Sequence, residues 1–197
     1  VGLQLRRIFM TLFQDQGFQK IKGFTTPYFS QYLRNYFALI VNNNNLGGDE
    51  QAPNSHCVYG DPAFDMAMAI STDDISKIVG KNLIPQYTYA RIYKKGSDLK
   101  IHSDRPECQY SVTLSLGGEY SKPWPIWIKD RAGKSHEVPL DEGDMLVYSG
   151  CELEHWRDKF EGNTQYQLFM HYVDAEGEYK DRLFDGRRAL GLQKGGW

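Results

Sequence analysis

The residues with the clearest chemical potential are His102-Ser103-Asp104 and, 51 positions beyond Asp104, His155. Residues two apart on a strand project to the same side, so the triplet predicts an imidazole and a carboxylate standing together. His155 follows the apolar run 145–148 and a turn at Gly150, and from there can complete the set. Two histidines and one aspartate on one face of a divalent ion leave its other positions open, an arrangement suited to non-haem Fe(II). HxD alone is a weak signal, because a single His more often satisfies a local hydrogen bond. Three such residues favour the metal, with Tyr93 and Gly96 ahead of the triplet and Asp141-Glu142-Gly143-Asp144 ahead of the distal His.

A scaffold for these side chains is legible from Tyr87 onward. Alternating or β-branched runs at 87–93, 109–116, 126–129, 136–140, 145–148 and 165–173 are punctuated by Gly, Pro and Asp, which predicts antiparallel β structure in a sandwich or barrel. In 109–116, Tyr110, Val112, Leu114 and Leu116 share one face while Ser111, Thr113 and Ser115 share the other. One face therefore meets a core and the other a polar interior or solvent. The front of the chain reads as helical. Thr26 suits an N-cap and Pro27 the first helical position, and Tyr28, Tyr32, Leu33, Tyr36, Phe37 and Ile40 recur at helical spacing. Asn42 to Asn45 and Gly47-Gly48 end that helix and open a mobile loop through Pro53, a second helix starts near Pro62, and a third runs from Asp73 to a stop at Gly80.

At 197 residues the chain has room for one domain: a helical buttress over 1–85, a β core over 86–175 and a tail over 176–197 whose Trp197 docks back. Gly195-Gly196 precede that Trp. A net charge of −2 and 24% charged residues exclude the broad basic footprint of non-specific nucleic-acid binding. With 41% hydrophobic residues and 4 Trp, 13 Tyr and 10 Phe, the composition is that of a folding chain. No apolar run reaches the ~18 residues of a membrane span. Residues 1–10 have no signal-peptide pattern, so a soluble, cytoplasmic protein is expected. Cys57, Cys108 and Cys151 are odd in number and far apart, and read as packed thiols.

On Arg91-Ile92-Tyr93-Lys94-Lys95-Gly96, His102-Ser103-Asp104-Arg105-Pro106 and Gly150-Cys151-Glu152-Leu153-Glu154-His155-Trp156-Arg157, the chain resembles the 2-oxoglutarate/Fe(II)-dependent oxygenases with prolyl-4-hydroxylase-like spacing, over 86–173. The resemblance implies a double-stranded β-helix, or jelly roll, mostly β with N-terminal helices against its larger sheet. It implies Fe(II) held by His102, Asp104 and His155, with Tyr93 and Arg91 against the cosubstrate. One departure stands out: the Arg or Lys that usually anchors the far carboxylate of 2-oxoglutarate is replaced by Gln165 and Met170. A dicarboxylate needs a charge-assisted contact there. Arg157, two beyond His155, and Arg91 are the candidate surrogates, with Gln165, Gln167 and His171 on one strand face beside them.

The leading expectation is an oxygenase that hydroxylates a primary substrate while converting 2-oxoglutarate to succinate and carbon dioxide. A peptide or small molecule is favoured over nucleic acid. Arg105 and Trp124, with Trp127, are candidates for the substrate entrance, although a surface ion pair and an aromatic packing cluster are equally open readings. Two alternatives remain: a cupin-like metal enzyme that does not use 2-oxoglutarate, and a catalytically silent jelly-roll binding module.

Overall fold

The computed structural model of the chain describes residues 12–192, so the readings at 1–10, Gly195-Gly196 and Trp197 lie outside the described residues. Its main elements in chain order are β1 (Phe18–Ile21), α1 (Pro27–Asn44), β2 (Ser55–Tyr59), α2 (Pro62–Val79), β3 (Leu83–Lys94), β4 (Leu99–His102), β5 (Tyr110–Glu119), β6 (Ile126–Lys129), β7 (Ser135–Val138), β8 (Met145–Tyr148), β9 (His155–Arg157) and β10 (Thr164–Asp174). The larger sheet has the order β1-β8-β5-β10-β3-β2 and the smaller β4-β9-β6-β7. From β3 onward the antiparallel pairs are nested: β6 with β7, β5 with β8, β4 with β9, β3 with β10. That winding of one ribbon across two facing sheets is the double-stranded β-helix.

Side-chain alternation gives the larger sheet two unlike faces. Val112, Leu114 and Leu116 of β5 join Ala90, Ile92, Leu168 and Met170 in an apolar outer face, which the helices cover with Leu33, Phe37, Phe64, Met68 and Ile75. Each large apolar side chain fully buried there contributes about 1.5–3 kcal/mol. The inner face is polar yet closed to solvent: Ser111, Thr113, Ser115, Gln165, Gln167, His171 and Arg91 are all buried. Between the sheets, Phe18, Ile126, Ile128, Leu146 and Leu153 fill one region, and Tyr93, Trp124, Phe160 and Phe169 another.

Several sequence readings are corrected. β1 and β2 extend the two edges of the larger sheet, so the front of the chain is not purely helical. Short runs such as Phe18–Ile21 carry too little periodicity to be recognised until a partner strand pairs with them. The two helices expected around 62–80 are one, α2, capped by Asp61 at its start and by Gly80 in the left-handed region at its end. Ser71 and Thr72 lie inside the unbroken helix, their hydroxyls donating back to the carbonyls of Ala67 and Met68. Strand β7 ends at Val138, before Pro139. No helix among the described residues is long and apolar enough to cross a membrane.

Candidate active site

His102 ends β4 and His155 opens β9, and the two are cross-strand partners with ring centroids 4.3 Å apart. His102 Nδ1 lies 2.8 Å from the carbonyl of Lys100 and His155 Nδ1 lies 3.0 Å from that of Leu153. A carbonyl only accepts, so each Nδ1 carries the proton and each Nε2 is left with its lone pair. Asp104 does not share a strand with His102, contrary to the parity argument. It lies in the loop just beyond β4, held by a 2.8 Å hydrogen bond from its N–H to the carbonyl of Gly150. Its Oδ1 is nevertheless 3.7 Å from His102 Nε2 and 3.6 Å from His155 Nε2. These separations are too long for direct hydrogen bonds and short enough for three ligands of one ion.

The second oxygen of Asp104 is already committed. Oδ2 accepts a 2.8 Å hydrogen bond from Ser111 Oγ, whose oxygen is 3.0 Å from His171 Nδ1. Ser111 thereby sets which carboxylate oxygen faces the histidines. Gly150 completes this arrangement by having no side chain: a Cβ there would come within 2.4 Å of Asp104 Oδ2 and 2.7 Å of Ser111 Oγ. Burial pushes the His155 imidazole below its ordinary pKa, against the pull of Asp104, and holds His171 down at about 4, so both are neutral. Asp104, Cys108 and His171 form a second group of close donors. There Tyr87 Oη lies 3.0 Å from Cys108 Sγ, and burial pushes the Cys108 thiol up so that it stays protonated.

Beside this triad lies a cavity of about 410 Å³, lined by Tyr59, Tyr87, Tyr89, Arg91 and Phe169 among others. Tyr93, Arg157, Gln165 and Gln167 are buried, and none of them is part of that cavity's lining. Arg91 Nη1 donates to Tyr93 Oη at 3.1 Å, and its charge is met by an ion pair with Asp49. Arg157 is differently placed. Its Nη1 donates to the carbonyl of Trp124 at 2.7 Å and its guanidinium lies 4.8 Å from the centre of the Trp124 ring, but Nε and Nη2 are buried without a partner. Burial pushes its pKa down to about 10, with Tyr93 and Tyr148 as its electrostatic neighbours. Gln165 donates to Ser115 Oγ and Gln167 Oε1, and Gln167 to Thr113 Oγ1, while Gln165 Oε1 has no partner.

Two of the proposed substrate residues change character. Arg105 lines the cavity but is clasped by Asp185 at 2.9 and 3.0 Å. Trp124 is buried against Tyr93 and Phe160, outside the lining of that cavity, and with Trp127, which stacks on Trp156 with ring centres 5.9 Å apart, it lines a separate pocket. Sequence reasoning missed Asp49, Gln51, Tyr89 and Asp185, which act from loops or a strand face with no motif of their own. Ser111 was legible as a polar inner-face residue, though its hydrogen bond to Asp104 was not. The three cysteines are free.

No protein-family model matches the chain, and no curated protein matches it. Solved structures do. A prolyl-4-hydroxylase from Pseudomonas putida superposes with TM-score 0.71 at 15% identity, covering 86% of this chain and 98% of that one. A Trichoplax adhaerens prolyl hydroxylase in complex with a hypoxia-inducible-factor peptide fragment gives 0.71 at 14% identity, covering 88% and 90%. HygX from Streptomyces hygroscopicus, with nickel and 2-oxoglutarate bound, gives 0.68 at 15%, covering 86% and 87%. At such identities the likeness is one of fold, and it places the chain's architecture with that of the 2-oxoglutarate-dependent oxygenases.

Proposed function

We propose that the chain is a non-haem Fe(II) oxygenase that uses 2-oxoglutarate. The observation that carries this reading is the pairing of a three-ligand cluster with a fully buried arginine, Arg157, whose Nε and Nη2 have no partner. An uncompensated buried charge is costly, and a polar interior that keeps one fits an anionic ligand that supplies the missing acceptors. The carboxylates of 2-oxoglutarate are of that kind, and the solved structures of the same fold include one holding nickel and 2-oxoglutarate.

His102, Asp104 and His155 would hold the metal through His102 Nε2, Asp104 Oδ1 and His155 Nε2, none of which takes part in the contacts to Lys100, Ser111 and Leu153. Arg157 would bind the far carboxylate, with Tyr93 and Gln165 beside it as hydrogen-bonding groups. Bound together, Fe(II) and 2-oxoglutarate would supply, with dioxygen as the oxidant, decarboxylation of the keto acid to succinate and carbon dioxide coupled to hydroxylation of a C–H bond in a second substrate, one oxygen atom going to succinate and the other to the new hydroxyl. The protein orients these groups and excludes water with Ile126, Tyr148 and Phe169 along the cavity. The primary substrate is a peptide or small molecule. The metal-only, cupin-like alternative is favoured by one observation, the absence of a cation at Gln165, and the two readings differ in a product. Supplied with Fe(II), oxygen and 2-oxoglutarate, the protein should form succinate, and His102→Ala and Asp104→Ala should abolish both this and tight Mn(II) binding while remaining folded. Metal uptake without succinate would select the alternative; unchanged Mn(II) affinity in either variant would remove the metal centre itself.

A further inference from the structure

The segment between α1 and β2 folds onto the candidate site. The Asp49 carboxylate pairs with the Arg91 guanidinium and accepts a hydrogen bond of 2.5 Å from Tyr89 Oη. Gln51 places its amide oxygen 3.3 and 3.2 Å from the two Nη atoms of Arg91, and its amide nitrogen 3.2 Å from His102 Nε2. Because His102 Nδ1 gives its proton to the Lys100 carbonyl, Nε2 can only accept, and Gln51 is the donor. The lone pair a metal would need is therefore engaged by the chain's own amide. Arg91, which also faces the cavity, is likewise engaged by the chain's own Asp49 carboxylate.

Two sets of contacts divide this segment. At its root, Ala52 is buried with Tyr93 and Trp124, its carbonyl accepts from Ser55 Oγ at 2.6 Å, and a Cβ on Gly48 would come within 2.5 Å of the Ala52 and Pro53 carbonyls. At the tip, Asp49 is half-buried, its Oδ1 held by the N–H of Ala52 at 2.8 Å, and Gln51 is exposed, so water is at hand to take over the contacts of Asp49 Oδ2 and Gln51 with Arg91 and His102. Arg91, by contrast, is buried and rigidly placed by β3, with cation contacts to the Tyr89 and Tyr93 rings at 5.1 and 5.3 Å. A fixed cation with an exchangeable carboxylate at the mouth of a cavity is the layout of a binding subsite with a resident occupant.

We propose that Arg91 and Tyr89 form a carboxylate-binding subsite in which Asp49 is a displaceable internal occupant, and that Gln51 caps the metal-facing nitrogen of His102 until a metal arrives. The inference rests on the oxygenase reading for its metal, and it adds a second carboxylate site distinct from Arg157. The ligand is a carboxylate, either from 2-oxoglutarate or from the primary substrate.

The test uses the whole chain with Mn(II), 2-oxoglutarate and acetate as probes. Gln51→Ala should bind Mn(II) about three- to tenfold more tightly, the worth of one neutral hydrogen bond no longer broken. Asp49→Asn should bind 2-oxoglutarate about tenfold more tightly if the subsite serves the cosubstrate. If it serves the second substrate, 2-oxoglutarate affinity stays level in Asp49→Asn, while acetate added to the Mn(II) and 2-oxoglutarate complex of the wild type speeds amide exchange at 46–54. Slower exchange of 46–54 on adding all three probes, with neither variant binding any probe more tightly, would overturn the inference: Asp49 and Gln51 would then be supports of the liganded site. A wild type that binds Mn(II) but no 2-oxoglutarate would overturn the oxygenase reading alone. Even then Gln51→Ala must tighten Mn(II) and acetate must speed exchange of the segment, or this inference falls as well.

Discussion

Replacing Arg157 by Met should leave the ligand-free protein almost as stable as the wild type while crippling its response to 2-oxoglutarate. Removing one partner of a buried ion pair costs about 3–5 kcal/mol, because the other charge is stranded. Arg157 strands nothing charged, since its one protein hydrogen bond goes to the Trp124 carbonyl. Its pKa, pushed by burial to about 10, corresponds to a penalty on the charged form on the order of 3 kcal/mol. A cation whose pKa falls on folding leaves the unfolded chain with more protons only above the folded value. Near neutral pH both states carry the charge and the penalty is fully present. Methionine relieves it, and forfeits about 1.5–3 kcal/mol of charge-assisted hydrogen bond and roughly 1–2 kcal/mol of contact with the Trp124 ring. The variant should therefore lie within about 2 kcal/mol of the wild type, a Tm change of no more than about 8 °C. Ligand response moves the other way. With Mn(II) present, 2-oxoglutarate at a hundred times its Kd should stabilise the wild type by about 2.7 kcal/mol in urea unfolding followed by Trp fluorescence. Loss of a charge-assisted contact worth about 1.5–3 kcal/mol should raise the variant's Kd roughly ten- to hundredfold. Gln165→Arg in the same background should restore part of that loss. A variant that loses 3 kcal/mol or more of stability, or that 2-oxoglutarate stabilises as strongly as wild type, would refute the assignment.

Two further outcomes follow from the same contacts. Ser111→Ala frees Asp104 Oδ2, and calorimetry should find Mn(II) affinity lowered by about ten- to hundredfold with the fold retained; unchanged affinity would mean that Asp104 is oriented by the Gly150 contact alone. Asp144, which pairs with Lys20 at 2.8 Å and accepts from the N–H of Gly23 at 2.9 Å, is held below the usual carboxylate range: burial works to raise it, and these partners outweigh burial. Its contribution is present above the unfolded value near ~4 and is lost as pH falls through the folded value. Asp144→Asn should therefore cost about 1–2 kcal/mol at neutral pH, and the difference in urea unfolding should vanish in acid. A pH-independent difference would locate the effect in packing.

What could be read from the chain beforehand depended on how local the signal is. The inner and outer faces of β5 were legible because alternation is intrinsic to a strand, and the inward direction of Arg91, Tyr93, Arg157 and Gln165 followed from parity with neighbours already assigned. α1 was legible from Thr26 and Pro27, whose capping chemistry does not depend on the rest of the fold. Strands β1 and β2 escaped because Phe18–Ile21 and Ser55–Tyr59 lack the alternating or β-branched pattern that marks the equally short β6 and β8, and become strands only by pairing. Asp104 was placed in the right constellation for the wrong reason: it is the Gly150 carbonyl, not strand periodicity, that brings it to His102. The Asp49 and Gln51 contacts join positions about 40 to 50 residues apart and were invisible to any local pattern.

The nested strand pairing also sets an order of assembly. β6 and β7 close a short hairpin, with Ile126 opposite Val138, whereas the β4–β9 pair brings His102 to His155 and the β3–β10 pair brings Arg91 to Gln167. Closing a longer loop costs more chain entropy, and each outer pair becomes shorter in effective span once the inner one has formed. The chain thus zips from its middle outward, and pulse-labelled amide exchange should protect β6 and β7 before β4 and β9. The three residues of the proposed metal centre meet only when most of the roll is closed. A partly folded chain exposes His102, Asp104 and His155 as separate groups with little hold on any ion, so capture of the proposed metal would mark a nearly completed roll and could not serve as its seed.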